Sequence, residues 1–185
     1  MNNEIREKII ADIGKERFYH SIRVKETALK LAEVYPVDLK KAETAALFHD
    51  CAKIRDEEIL RKRADEFNLV LNEYMLENSE LIHAPLGAEM AKLTYGITDI
   101  DVLNAIKYHT TGKEDMNMLE KIIYMADYIE PMRNFPGIED IRDMAFKDID
   151  RALFMAFNKT IVFLIKDNKL IQPDTVIARN KLKYI

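Results

Sequence analysis

Residues Thr44-Ala-Ala-Leu-Phe-His-Asp-Cys-Ala52 place a histidine and an aspartate side by side in an apolar run. A second run, Ile122-Ile-Tyr-Met-Ala-Asp-Tyr-Ile129, contains another lone aspartate. Burying an imidazole or a carboxylate among aliphatic side chains is costly unless each group finds a partner. Bound metal ions would satisfy all four histidines of the chain together with both aspartates. The six candidate metal ligands are His20, His49, Asp50, His83, His109 and Asp127.

Apolar residues recur at helical spacing through nearly the whole chain. Only five glycines and five prolines are present, which is few for a turn-rich β architecture. These patterns predict an all-α helical bundle with the ligands at the ends or buried faces of successive helices. The predicted helices cover 3–12, 17–34, 38–51, 57–66, 71–78, 85–93, 99–108, 117–130, 138–146 and 148–166, with a last short helix within 171–180.

Length and continuity of the pattern predict one domain over residues 1–185. The core motif region would span about 15–135, and C-terminal helices within 138–185 would pack on it. The apolar helix 152–165 is expected mainly in the core, although a homodimer surface stays open.

Composition argues against several partners. The net charge is −4 and no long basic block exists, so nucleic acid is not an expected partner. No apolar run reaches membrane length and the N-terminus lacks an apolar signal core, so we expect no membrane partner. The single Cys51, expected to be buried, excludes an intrachain disulfide and suits a cytoplasmic location.

Five stretches carry the candidate ligands in the order His, His-Asp, His, His and Asp. In this order they resemble the HD-domain metal-dependent phosphohydrolase superfamily, and more narrowly the bacterial YqeK family of symmetrical bis(5'-nucleosyl)-tetraphosphatases. The resemblance covers roughly residues 15–182, including the tail 173–180. The matching stretches are Arg17-Phe-Tyr-His-Ser-Ile-Arg-Val24, Ala46-Leu-Phe-His-Asp-Cys-Ala-Lys53, His83-Ala-Pro-Leu-Gly-Ala88, Tyr108-His-Thr-Thr-Gly112 and Ala126-Asp-Tyr-Ile-Glu-Pro-Met-Arg133.

The resemblance implies an enzyme with an HD-domain bundle that uses metal-activated water. Its expected substrate is a nucleotide with an adenine or guanine base, namely diadenosine tetraphosphate cleaved symmetrically to two ADP. It also implies two metal ions. The implied division is His20, His49 and Asp127 on one ion, His83 and His109 on the other, and Asp50 bridging both.

The ligand types narrow the choice of metal. Imidazole and carboxylate together suit iron, manganese, cobalt, nickel or zinc. The set is too rich in nitrogen for magnesium or calcium. The two ions that the resemblance implies are therefore expected to be divalent or trivalent, with iron as the first choice by analogy with the family.

Cationic and hydroxyl side chains near these ligands are candidates for phosphate binding. Lys53 follows Asp50 by three residues, which is the same helical side if the helix persists. Arg133 follows Asp127 and is suited to a bidentate pair with phosphate. Asp50, His49 and Lys53 are the expected catalytic residues, and Lys53, Thr110, Thr111 and Arg133 are the expected substrate-binding residues.

Other functions stay open at this point. HD proteins also cleave cyclic nucleotides, guanosine alarmones and nucleoside monophosphates, and some use a dinuclear iron site for oxygen chemistry. A nucleotide-sensing protein without activity is a further alternative. Tyr108, Tyr128 and Phe135 are suited either to stacking on a nucleobase or to packing in the protein.

Overall fold

The computed structural model of the protein describes residues 3–182. Within that range it contains eleven α-helices, one 3₁₀ turn at Ser79–Leu81 and no strand, which confirms the predicted all-α class. None of the helices over this part of the chain has the length and apolar character needed to cross a membrane. The helices are α1 Asn3–Ile13, α2 Lys15–Ala32, α3 Leu39–Phe48, α4 Glu57–Glu66, α5 Glu73–Glu77, α6 His83–Leu93, α7 Ile100–Tyr108, α8 Met118–Ile129, α9 Ile138–Ala145, α10 Ile149–Lys166 and α11 Pro173–Lys181.

Short polar side chains cap several helices at or next to their predicted starts. Asp38 accepts a hydrogen bond from the Lys41 amide and so begins α3. Asp56 and Asp99 cap α4 and α7 in the same way. Asn117 forms a reciprocal capping box with the third residue of α8. These local signals fix where the helices start.

One predicted helix end is wrong at the residues that matter most. Helix α3 ends at Phe48 rather than near Cys51, and residues 49–52 form a turn. The His49 imidazole donates from Nδ1 to the Ala46 carbonyl (2.7 Å), and the Cys51 amide donates to the Phe48 carbonyl (3.0 Å). A side chain and a tighter turn thus take carbonyls that a continuing helix would use. The turn directs His49 and Asp50 into the protein, where both are buried.

Helix packing converges on this turn. Helix α2 packs against α3 and α8, and α7 packs against α3, α6 and α8. Cys51 is fully buried, as predicted, and its thiol lies 3.4 Å from the Gly87 carbonyl of α6. Five helices therefore meet around residues 49–51.

The C-terminal helices extend the bundle. Helix α10 packs against α8, α9 and α11. The first half of α10 is buried through residues such as Leu153 and Phe157, but Val162, Phe163 and Ile165 are exposed. The prediction of a core helix over 152–165 is therefore right only for its first half. Residues 183–185 of the predicted C-terminal region lie outside the described part of the chain.

Gly112, which follows α7, packs so closely against its neighbours that a larger residue there should destabilise the protein. Gly112 has φ +65°, and an added Cβ would lie 2.6 Å from Phe157 Cζ and 3.0 Å from Ala178 Cβ. We expect Gly112→Ala to lower the free energy of unfolding by about 2–4 kcal/mol, since overpacking and left-handed backbone strain add. Thermal unfolding followed by circular dichroism should show a Tm lower by roughly 5–15 °C.

Gly96→Ala is the matched control for this change. Gly96 also has positive φ (+70°), but an added Cβ would meet nothing within 4 Å. Its substitution should cost only the backbone strain of about 1 kcal/mol. Equal Tm losses for the two variants would contradict the proposed packing of Gly112 against Phe157.

Candidate metal centre

The six sequence-predicted ligands come together in one cluster between α2, α3, α6, α7 and α8. Their positions follow from the helix boundaries, because most of them stand at helix ends that point into the bundle. The four histidines and Asp50 are buried, and the Asp127 side chain is 19% exposed. His20 lies in the second turn of α2, His49 and Asp50 in the turn after α3, His83 at the start of α6, His109 directly after α7 and Asp127 within α8.

Asp50 occupies the middle of the cluster, and its two oxygens face different histidine pairs. Oδ2 lies 3.6 Å from His20 Nε2 and 3.2 Å from His49 Nε2. Oδ1 lies 3.2 Å from His83 Nε2 and 3.5 Å from His109 Nε2. Each carboxylate oxygen thus faces one pair of imidazoles, while the His49 and His109 rings of the two pairs also contact each other, with centroids 4.9 Å apart.

Asp127 lies on the side of His20 and His49. Its Oδ1 is 2.9 Å from His20 Nε2 and 4.0 Å from His49 Nε2. The same oxygen accepts a hydrogen bond from Arg133 (2.7 Å), whose Nε donates to the Asp127 main-chain carbonyl (3.1 Å). Arg133 therefore holds Asp127 in position while remaining 39% exposed.

Backbone carbonyls fix the orientation of three imidazoles. The Nδ1 atoms of His49, His83 and His109 lie 2.5–2.7 Å from the carbonyls of Ala46, Glu80 and Ile106, respectively. A carbonyl can only accept, so each Nδ1 carries the proton, and Nε2 of a neutral ring presents a lone pair inward. Lys53 Nζ also approaches Nδ1 of His83 at 3.2 Å, but the Glu80 carbonyl at 2.5 Å is the closer partner.

Two of these inward lone pairs oppose each other. His83 Nε2 lies 3.2 Å from His109 Nε2, and burial lowers the pKa of His83 to about 4. His83 is therefore neutral near pH 7. Two nitrogens with lone pairs at this distance, beside a carboxylate oxygen, suit a shared cation better than they suit each other.

The interior of the cluster attracts positive charge. Burial favours the neutral form of His49, yet the Asp50 and Asp127 carboxylates raise the pKa of His49 above its ordinary value. Burial opposes ionisation of Asp50 as well, but the surrounding imidazoles, led by His49, hold the pKa of Asp50 well below its usual range. An anionic centre lined with imidazoles accommodates either protons or metal ions.

Buried polar atoms without hydrogen-bond partners show whether the residues of the cluster fit a metal ion. Within residues 3–182, four buried ligand atoms have no hydrogen-bond partner of acceptable geometry: Nε2 of His20, Nε2 of His49 and both oxygens of Asp50. Buried polar atoms are normally paired, so four such atoms in one cluster are unusual. Two sets of three residues each offer ligand atoms that lie within 4.8 Å of one another. The first set is His20, His49 and Asp50, and the second is Asp50, His83 and His109. The residues fit metal binding.

A polar cavity of about 440 Å³ opens beside the cluster. His20 forms part of its lining, together with the acidic residues Glu16 and Glu130. The lining carries more positive than negative side chains, which suits an anionic ligand close to the candidate metals, and each of its cations also pairs with a carboxylate of the protein. The cationic residues are Arg17, Arg23, Lys53, Arg55 and Arg133.

The predicted substrate-binding residues fall in two places. Lys53 and Arg133 line the cavity beside the cluster. Lys53 reaches it from the turn after α3 and forms an ion pair with Glu80, so its position does not depend on the helix that the sequence analysis assumed. Thr110 and Thr111 line a separate depression, and the Thr111 hydroxyl donates to the Gly112 carbonyl (2.9 Å).

Sequence reasoning missed three charged neighbours of the ligands. Arg17 Nε lies 2.8 Å from Asp50 Oδ2, and Glu80 pairs with Lys53. Glu130 Oε1 lies 3.4 Å from His20 Nδ1, and its other oxygen accepts from Arg23 Nε (2.8 Å). Helical spacing contains part of this signal, because Arg17 and Arg23 stand three residues before and after His20.

Comparisons with known proteins agree with this geometry. The model of the HD domain family matches residues 17–132. A symmetrical bis(5'-nucleosyl)-tetraphosphatase of Halalkalibacterium halodurans is 46% identical over 92% of this chain and 90% of its own length. A protein of the same name from Bacillus subtilis is 42% identical over 92% of this chain and 91% of its own.

A solved structure extends the likeness to three dimensions. It is the crystal structure of a predicted HD superfamily hydrolase involved in NAD metabolism from Clostridium acetobutylicum. It superposes with a TM-score of 0.92 at 41% sequence identity, covering 98% of this chain and 96% of that one. The matched segment includes all six clustered residues, and the chain therefore belongs to the HD domain family.

Proposed function

We propose that this protein is a metal-dependent phosphohydrolase that cleaves diadenosine tetraphosphate symmetrically into two ADP. The observation that carries the proposal is the buried cluster in which each oxygen of Asp50 faces two imidazoles and lacks a hydrogen bond of acceptable geometry. Relatives at 40–46% identity over most of the chain carry the name of this activity, which supports the choice of substrate. The cations beside the cluster suit a polyphosphate.

We propose two metal ions with iron as the first choice and manganese, cobalt, nickel or zinc as alternatives. Metals in such a site lower the pKa of bound water and stabilise phosphate oxygens during in-line displacement. His20, His49 and Asp127 would hold one ion, His83 and His109 the other, and Asp50 both, which is supported by the distances of Asp127 to His20 and His49 and of Asp50 to all four imidazoles.

The remaining residues act on the ligands and on the substrate. Arg17 and Arg133 hold the Asp50 and Asp127 carboxylates in place through ion pairs of 2.8 and 2.7 Å. Lys53 and Arg133 face the cavity, where they bind the phosphate chain and neutralise its charge. Thr110 and Thr111, on the side of His109, contact the half of the dinucleotide that extends away from this cavity.

Product analysis tests the proposed reaction. Metal-loaded protein is incubated with diadenosine tetraphosphate, and the nucleotides are separated by ion-exchange chromatography. ADP as the single product, with turnover lost after chelation, supports the proposal. ATP plus AMP, or turnover only of cyclic nucleotides, guanosine alarmones or nucleoside monophosphates in a parallel panel, would contradict it.

We further propose that the enzyme works in the cytoplasm as one HD domain. The single buried Cys51 and a nucleotide substrate fit a reducing compartment. Helices α9 and α10 contact α8, which carries Asp127, and α11 packs against α10.

Glu130 provides a prediction about the first ion. Its carboxylate is buried next to His20 Nδ1, and a carboxylate behind a ligating imidazole raises its basicity and fixes its ring. We expect Glu130→Gln to weaken metal affinity by about 10- to 100-fold. Titration of apoprotein with Co²⁺, followed by the absorbance of its d–d bands, measures this affinity.

The control Glu114→Gln removes an exposed carboxylate that pairs with Lys181 and does not line the cavity beside the cluster, and it should leave metal affinity unchanged. Equal affinities for Glu130→Gln and the wild type would refute the role of Glu130.

A further inference from the structure

A second cavity of about 760 Å³ shares the Arg133 side chain with the cavity beside the metal centre. Tyr128 and Phe135 line it with their ring centroids 5.4 Å apart in an edge-to-face arrangement. Phe163, from the second half of α10, also lines it and is 53% exposed. Three aromatic rings thus surround a space that begins where the cationic cavity ends.

Polar groups accompany the aromatic rings. Asn158 lies in the lining, and its side-chain oxygen accepts a hydrogen bond from Arg179 Nε (2.8 Å), which fixes the carboxamide. Lys159 donates to the Pro136 carbonyl (2.9 Å), and Lys166 adds a second positive charge. Aromatic walls with a few polar groups are typical of sites for small molecules.

We propose that this cavity binds one nucleoside end of the substrate, with the base stacked on Phe163 and next to Tyr128 and Phe135. The inference rests on the proposed function, since it assigns a place to one half of the dinucleotide. Arg133 stands at the junction, where the phosphate chain passes from the metal centre to the nucleoside. The same assignment gives a use to the apolar second half of α10, which the bundle leaves exposed.

The charges around the cavity favour this occupant over an apolar one. Arg133, Lys159 and Lys166 are all cationic, so the rim complements a nucleotide phosphate while the rings complement a base. A purine presents a π-face to any of the three rings.

Binding of ADP, measured by isothermal titration calorimetry on the metal-loaded protein, tests the inference. Loss of one base–aromatic stack should raise the Kd of ADP about 5- to 100-fold in Phe163→Ala. Phe163→Tyr keeps a ring and should bind ADP within about threefold of the wild type. Inorganic pyrophosphate, which has no base, should bind all three proteins equally. Phe146→Ala, which removes another partly exposed aromatic ring (39%), is the matched control and should bind ADP normally.

Other outcomes would count against the inference or against the proposed function. Unchanged ADP affinity in Phe163→Ala would overturn the inference, and so would a parallel loss of pyrophosphate affinity. Light scattering that shows a wild-type dimer and a Phe163→Ala monomer, with ADP affinity unchanged, would assign this surface to a second copy of the chain instead. If the wild type fails to cleave diadenosine tetraphosphate but Phe163→Ala still loses ADP affinity, the proposed function fails and the nucleoside cavity stands.

Discussion

Asp50→Asn is expected to lower kcat/KM for diadenosine tetraphosphate by about a thousandfold or more, since loss of one electrostatic stabiliser alone costs about a hundred- to a thousandfold. A thousandfold corresponds to about 4 kcal/mol of transition-state stabilisation. The reason is the position of Asp50, whose two oxygens face His20 and His49 on one side and His83 and His109 on the other. An amide of the same shape removes the negative charge that both ions would share.

Metal analysis by inductively coupled plasma mass spectrometry should show both ions lost from Asp50→Asn. Asp56→Asn is the matched control, because asparagine caps a helix as well as aspartate does and Asp56 only caps α4. It should keep full metal content and activity. Circular dichroism at 222 nm verifies that each variant is folded. A folded Asp50→Asn protein with two ions and wild-type turnover would refute the bridging role.

His83→Ala is expected to remove one ion and leave the other. His83 and His109 approach Asp50 Oδ1, whereas the other pair approaches Oδ2, so their loss should affect only one side of the cluster. We expect about one ion per chain in place of two and a fall in kcat of about a hundredfold or more, because one of two metals that stabilise the reacting oxygens is gone.

The contrast with His49→Ala makes the prediction specific. His49 is fully buried and approaches both Asp50 and Asp127, so its loss should empty the site rather than half of it. His109→Ala should reproduce the result of His83→Ala. Equal metal content in His83→Ala and His49→Ala, whether one ion or none, would contradict the division of the histidines into two groups.

The ligands could be predicted from the sequence because each stands in a recognisable local pattern, and because burying an imidazole or a carboxylate without a partner costs free energy. Four histidines and two aspartates at the ends or on the apolar faces of helices need partners wherever the helices pack. Caps such as Asp38, Asp56 and Asn117 were predictable for the same reason, since each acts within three residues.

The end of α3 was not predictable in this way. The His49 ring contacts the Ala46 carbonyl only three residues back, but no glycine or proline follows in the sequence to mark the end of the helix. Lys53 therefore reaches the cavity for a different reason from the one the helical spacing suggested. The ion pairs of Arg17 with Asp50 and of Arg23 with Glu130 likewise join distant parts of the chain or depend on which helix face points inward.

The aromatic cavity illustrates a second limit. The apolar pattern of α10 is continuous, so hydrophobic periodicity cannot separate the buried half that contains Leu153 and Phe157 from the exposed half that contains Phe163. The sequence leaves Tyr128 and Phe135 open between stacking and packing, and no pattern in it places them beside Arg133 in the lining of one cavity.

Anomalous diffraction from crystals of active, metal-loaded protein, collected at the absorption edge of the bound metal, tests the metal centre most directly. We expect two peaks in the anomalous difference map, both adjoining Asp50. One should lie among His20, His49 and Asp127 and the other beside His83 and His109. Protein that hydrolyses diadenosine tetraphosphate with no peak inside this cluster, or with its metal bound elsewhere, would contradict the assignment.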